Sequence, residues 1–128
     1  MTHDLTDAQL IEQTAEYLKA LPHRSGVEKY GPTFECRYRS PDEAAPACAA
    51  GLWIKDEFYN EMLEKKSIYN YKVSEALISS GIKQSQFAIL DAFQDFHDTA
   101  SNWGTEGLSH KGKIRLKRLL ENLKRPVN

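Results

Sequence analysis

His97 and Asp98 are adjacent in the chain, and an aspartate beside an imidazole is the pairing that orients a histidine for base work or metal binding. Helical periodicity separates the two. At about 100° per residue His97 falls beside Leu90 and Phe93, at the margin of an apolar face, while Asp91, Asp95 and Asp98 form an acidic stripe elsewhere on the helix. That spacing fits a core-edge histidine with a satisfied ring N–H and a solvated carboxylate face. Cys36 and Cys48 are the two thiols. Cys48 sits in an alanine-rich apolar run, where burial raises a thiol pKa and leaves it inert. Cys36 lies between Glu35 and Arg37, and Arg37 or Arg39 could lower its pKa. It is the better reactive candidate, with His97 as the histidine it would need.

Zinc coordination by Cys36, Cys48, His97 and His110 has suitable ligand types but not the spacing. Eleven residues separate the cysteines, and no closely spaced Cys–Cys or His–His pair exists to orient two ligands from one short loop. No glycine-rich phosphate loop, H-E-x-x-H or G-x-S-x-G is present. No catalytic residue, metal or cofactor is therefore assigned. Cys36, Cys48, His97 and Asp98 stand as one polar group, either a site or a polar core.

Recognition chemistry is better represented. Arg37, Tyr38, Arg39, Trp53 and Tyr59, with Tyr69 and Tyr71, concentrate the residue types of binding hot spots in the middle of the chain. Burial of Trp53 and some tyrosines is the competing reading. A second group is basic. From Lys111 to Asn128 seven Lys/Arg face one acidic residue, whereas residues 1–110 carry ten against seventeen. Lys113, Lys117 and Lys124 flank one side of a leucine face, and Arg115, Arg118 and Arg125 the other. Such a helix could grip nucleic-acid phosphates or pack with the acidic stripe of its own or a second chain.

Local signals place the supporting elements. Thr6 and Gln9 form a capping box ahead of the stripe Leu10, Ile11, Thr14, Ala15, Leu18 and Leu21, which Pro22 ends. Residues 23–33 read as a loop. Alternation over 34–39 indicates a short β element. Helices are expected at about 47–54, 56–64, 73–80 (ended by Gly81), 85–103 (capped by Ser85) and 110–124. The fold class is mainly α, a compact helical bundle forming a single domain over residues 1–128.

The chain has 41% hydrophobic and 27% charged residues with a net charge of −1, which excludes wholesale disorder. Two cysteines do not make a disulfide framework, and buried free thiols are expected. The polar, acidic amino terminus lacks the form of a secretory signal, and the longest apolar stretch, 44–54, is interrupted by Pro46 and too short to span a bilayer. A cytoplasmic protein with no membrane contact is expected.

Cys36-x-Tyr38-Arg39, followed by Cys48-Ala49-x-Gly51-x-x-Ile54-x-Asp56-Glu57-x-Tyr59, resembles small uncharacterised proteins of bacteria and their phages. Leu90, Gln94, His97, Asp98 and Trp103 match the later L-x-x-x-Q-x-x-H-D and tryptophan of that pattern. Lys55 stands where proline is common, and Trp53 is bulkier than the usual residue. The resemblance implies a shared helical fold, a bacterial or mobile-element origin, and packing of the central block against the helix that carries Gln94, His97 and Asp98. It implies no activity. The expectation is a non-enzymatic protein–protein interaction module, such as an inhibitor or adaptor docking on a host defence complex. Nucleic-acid binding through the C-terminal helix is the alternative, a Cys/His enzyme the lesser one, and a homodimer a further option for the partner.

Overall fold

The computed structural model describes residues 4–21, 27–30, 33–36, 38, 48–64, 66–104 and 106–124. The fold is mainly α. Helix α1 runs Asp7–Ala20, α2 Tyr71–Ser79, α3 Phe87–Asp98 and α4 His110–Leu123. Two small antiparallel hairpins accompany them. Strand β1 (Val27–Tyr30) pairs with β2 (Thr33–Cys36), Val27 opposite Cys36, and β3 (Trp103–Gly104) pairs with β4 (Gly107–Leu108).

The first helix forms where its cap and stripe require. Thr6 accepts from the Gln9 N–H while the Gln9 side chain accepts from the Thr6 N–H, satisfying two amides that have no intrahelical partner. Leu10, Ile11, Thr14, Ala15, Leu18 and Leu21 are all buried. At the other end of the chain, Ser109 accepts from Gly112 N–H and caps α4. Leu116 of α4 packs with Leu18, Leu21, Phe93 and Phe96, joining α1, α3 and α4. A second cluster gathers the central block and α2 around Leu10, Trp53, Ile54, Leu77 and Leu90, and Ile89 touches both clusters.

Elsewhere the structure corrects the expected elements. Residues 23–33 hold strand β1 rather than only loop, because T-F-E-C at 33–36 supplies V-E-K-Y with a partner. The helix expected at 47–54 is a single 3₁₀ turn, Gly51–Trp53. The Ala50 N–H leaves the local chain to bond the Gln94 side chain, at 2.9 Å. At 56–64 two 3₁₀ turns, Asp56–Phe58 and Glu61–Leu63, are separated by extended Tyr59 and Asn60. The Asn60 side chain accepts from Met62 N–H at 2.8 Å, a local bond that competes with helix continuation.

Helix α2 starts earlier than expected, at Tyr71, under an Asn70 cap, and Gly81 follows it with φ 104°, the left-handed conformation that suits a helix C-terminus. Helix α3 stops at Asp98 rather than running to Trp103, and Ser85 lies in the 3₁₀ turn that precedes it. The stop is built from side chains. Thr99 Oγ1 donates to Asp95 O, Asn102 Nδ2 to Phe96 O and Trp103 Nε1 to His97 O, each at 2.8 or 2.9 Å. The carbonyls that a longer helix would have satisfied are taken by residues that have left it.

Candidate functional site

The central block does lie against α3, and Gln94 is the joint. Its Oε1 accepts the Ala50 N–H at 2.9 Å, its side chain hydrogen-bonds the Cys48 thiol, and its Nε2 donates to Asp98 Oδ1 at 3.0 Å. Asp98 Oδ1 also meets His97 Nδ1 at 3.2 Å. Cys48 and His97 are therefore linked through Gln94 and Asp98. The pairing of His97 with Asp98 departs from the helical-wheel expectation. Asp98 is the last helical residue, and its side chain leans back toward Gln94 one turn earlier, which brings a carboxylate oxygen to the ring nitrogen nearest its own backbone. His97 is fully buried rather than at the core edge, at 0% exposure. The Trp103 indole stands edge-on to it, with ring centroids 5.7 Å apart.

Beside this chain lies a cavity of about 260 Å³ lined by Tyr38, Cys48, Lys66, Asp91, Gln94 and Asp98, among others. The Tyr38 hydroxyl donates to the Lys66 carbonyl, and its N–H donates to Glu64 Oε1 at 2.8 Å. Glu64 is itself buried, and its Oε2 accepts from the Tyr59 hydroxyl at 2.7 Å. Burial, then the charge Cys48 would carry as a thiolate and the carboxylates of Glu64, Asp98 and Asp91, raises the Tyr38 pKa. Burial and the bond to Glu64 do the same for Tyr59. Burial and the neighbouring Asp95 raise the Asp91 pKa. The acidic stripe faces this cavity and Lys66, not the basic helix.

Electrostatics decides what the thiol can do. Burial pushes Cys48 from its usual 9.0 up to about 12, with the Asp98 and Glu64 carboxylates adding to the rise. At neutral pH this keeps the group as the thiol rather than the thiolate, the form that attacks electrophiles and binds metals. Cys48 is a free, fully buried thiol. Cys36 lies in β2, opposite Val27, and the structure describes its backbone only. Among the described residues, no three His, Cys, Asp or Glu side chains come together as a metal-ligand set, and His110 is the exposed first residue of α4.

A pH dependence follows from the thiol. Its folded-state pKa lies above the unfolded value, so its contribution to stability is intact below pH 9 and lost as pH rises toward about 12. The full loss is about 4 kcal/mol for a shift of this size. Urea unfolding of the wild type at about pH 8 and pH 11 should show this decline, and Cys48→Ala should flatten it while Tyr38 retains a smaller slope of the same sign.

The recognition residues divide. Trp53 and Tyr38 are both buried at 6% exposure, which corrects their reading as surface contacts. The Trp53 indole N–H donates to Thr14 Oγ1 at 2.9 Å. Tyr59 is half-buried. Arg37 and Arg39 lie outside the described residues. On α4, Arg115 Nη1 donates to Ser101 Oγ at 2.7 Å and Asn102 Oδ1 at 2.9 Å, and Lys124 lies 3.8 Å from Glu12. The Arg115 bonds tie the helix to the turn before β3, whereas the Lys124–Glu12 pair is exposed at both ends and adds little. Lys113, Lys117 and Arg118 are exposed, and Arg125 is outside the described residues. No helix among the described residues is long and apolar enough to cross a membrane.

No protein-family model, curated protein or solved structure matches the chain.

Sequence reasoning missed Glu64 and the Thr99–Asn102–Trp103 cap. Glu64 gave no signal, being one acidic residue among several. The cap could have been suspected from a threonine and an asparagine close behind His97 and Asp98, since both side chains readily bond backbone groups.

Proposed function

We propose that this protein is a non-enzymatic interaction module of bacterial or phage origin, a small inhibitor or adaptor that docks on a host protein complex such as a defence assembly. One observation carries the reading. Among the described residues, five of the six exposed large hydrophobics fall between Phe58 and Ile78: Phe58, Met62, Tyr69, Tyr71 and Ile78. Tyr71 and Ile78 are seven residues apart on α2 and share a face. Phe58 and Met62 line an adjoining groove of about 450 Å³ with Lys72 and Glu75. Exposed apolar side chains on the outer face of α2 and in a charge-edged groove beside that helix suit a protein partner. The full burial of Cys48, which pushes its thiol pKa up, supports the non-enzymatic part.

The contact surface is thus displaced from the residues that composition alone would select. Nucleic-acid binding through Lys113, Arg115, Lys117, Arg118, Lys124 and Arg125 has less support, because Arg115 is engaged within the chain by two hydrogen bonds. The test is affinity capture from bacterial cells that carry the gene, with Met62→Glu and Ile78→Glu in parallel. Each substitution is at an exposed position and should leave the melting temperature near wild type while weakening the captured complex about tenfold or more. Capture unaffected by either change would overturn the reading. So would a salt-steep gel shift that is lost when the α4 charges are reversed.

A further inference from the structure

A second surface lies between the C-terminal part of α1, the β3–β4 hairpin and α4. Leu108, Leu116 and Leu120 floor a groove of about 600 Å³, and Lys19, Lys113 and Lys117 stand along it, with Glu106 also in its lining. We propose that this groove docks an acidic amphipathic segment of a partner protein, with apolar side chains on the leucines and carboxylates against the lysines.

Charge and shape select that occupant. Lys113 and Lys117 are four residues apart on one side of α4, and Lys19 comes from the other wall, on α1. A guest with an apolar stripe between acidic flanks meets cations on both sides. The lysine stems extend the apolar surface while their ammonium groups stay at the rim. The present partner of Lys19 is Glu16, at 3.4 Å, and both side chains are half exposed or more. Such a pair is worth little and yields readily to a guest carboxylate.

Glu106, also in the lining, disfavours a guest carboxylate placed directly against it. A nucleic acid would satisfy the lysines but not the leucines, and among the described residues the groove lining contains no aromatic ring on which a base could stack. This surface is separate from the Phe58–Ile78 face and stands independently of it.

Random-peptide display on the full chain tests the proposal. Selected peptides should carry apolar residues at helical spacing together with Asp or Glu. A synthetic member should bind about tenfold or more weakly to Lys113→Glu/Lys117→Glu, because two attractions become repulsions. Both positions are exposed, so a melting curve matching wild type shows that the variant is folded. Binding should also weaken as salt rises from about 0.05 to 0.3 M, and replacing the peptide's acidic residues with lysine should restore binding to the charge-reversed variant.

Selected peptides without acidic residues would overturn the proposal, as would equal affinity for both proteins. Binding lost on Met62→Glu but unchanged by lysine reversal would assign the peptides to the other face and also overturn it. A DNA duplex or an anionic phosphatidylglycerol vesicle that binds the same lysines more tightly than any selected peptide would replace it with phosphate recognition.

Discussion

Gly51→Ala is expected to lose the native state or to cost at least about 3 kcal/mol, a large share of the stability of a domain this size. A Cβ at position 51 would lie 2.0 Å from the Tyr38 carbonyl oxygen and within 2.8 Å of its carbonyl carbon and Cα. All three are backbone atoms, so no rotamer change relieves the clash. Tyr38 cannot simply withdraw. Its N–H is bonded to Glu64 and its hydroxyl to the Lys66 carbonyl, and a shift would leave a buried carboxylate short of a donor, a further cost of about 1–3 kcal/mol.

Gly104→Ala is the control. Its nearest neighbour would be at 3.7 Å, ordinary contact, and its urea midpoint should stay close to wild type. Gly112 adds a reversal of sign. Replacing a helical glycine by alanine normally stabilises, even in the first turn where Gly112 lies. Here the new Cβ would meet Asn102 O at 2.0 Å, so the change should destabilise. Urea unfolding followed by far-UV circular dichroism compares all three variants directly.

The same contacts explain which parts of the fold were legible in the sequence. Helix α1 could be read because its cap is three residues from its partner and its stripe repeats with the helical period. Helix α4 could be read from Ser109 and its leucines for the same reason. The central block could not. Its backbone follows bonds to residues far along the chain: Tyr38 to Glu64, 26 positions away, and Ala50 to Gln94, 44 positions away. Local propensity at 47–64 favours helix, and those tertiary bonds, with Asn60 between the turns, favour 3₁₀ turns instead.

The candidate site shows the same division. The expected packing of the block on the Gln94 helix is made by the Ala50 N–H bond to the Gln94 side chain. The direct contact of Asp98 with His97 was not readable, because it depends on where α3 ends. That end is set by Thr99, Asn102 and Trp103, whose side chains find their carbonyl partners only once the chain has turned. Residue type also misled at Trp53. A tryptophan in an Arg/Tyr-rich region suits an interface, yet its burial and its bond to Thr14 make it a tie between the central block and α1.

Trp53→Ala should therefore act on stability rather than on recognition. Removing a buried tryptophan costs about 3–5 kcal/mol through lost burial and the cavity left behind. It also strands the hydroxyl of Thr14, which is at 0% exposure. Trp53→Phe keeps most of the packing but deletes the N–H donor, so its cost should be smaller, about 1–3 kcal/mol. Thr14→Val in that background removes the orphaned hydroxyl and should recover part of the loss. A double-mutant cycle over Trp53→Phe and Thr14→Val would then give a coupling of about 1 kcal/mol. Partner affinity per folded molecule should not change with Trp53→Phe, whereas Met62→Glu should weaken it at unchanged stability. If Trp53→Phe instead weakened the complex and left the urea midpoint in place, the indole would be a contact residue and the core assignment would fail. The two readouts separate because the Trp53 ring is covered by its own chain, at 6% exposure, while Met62 is 59% exposed.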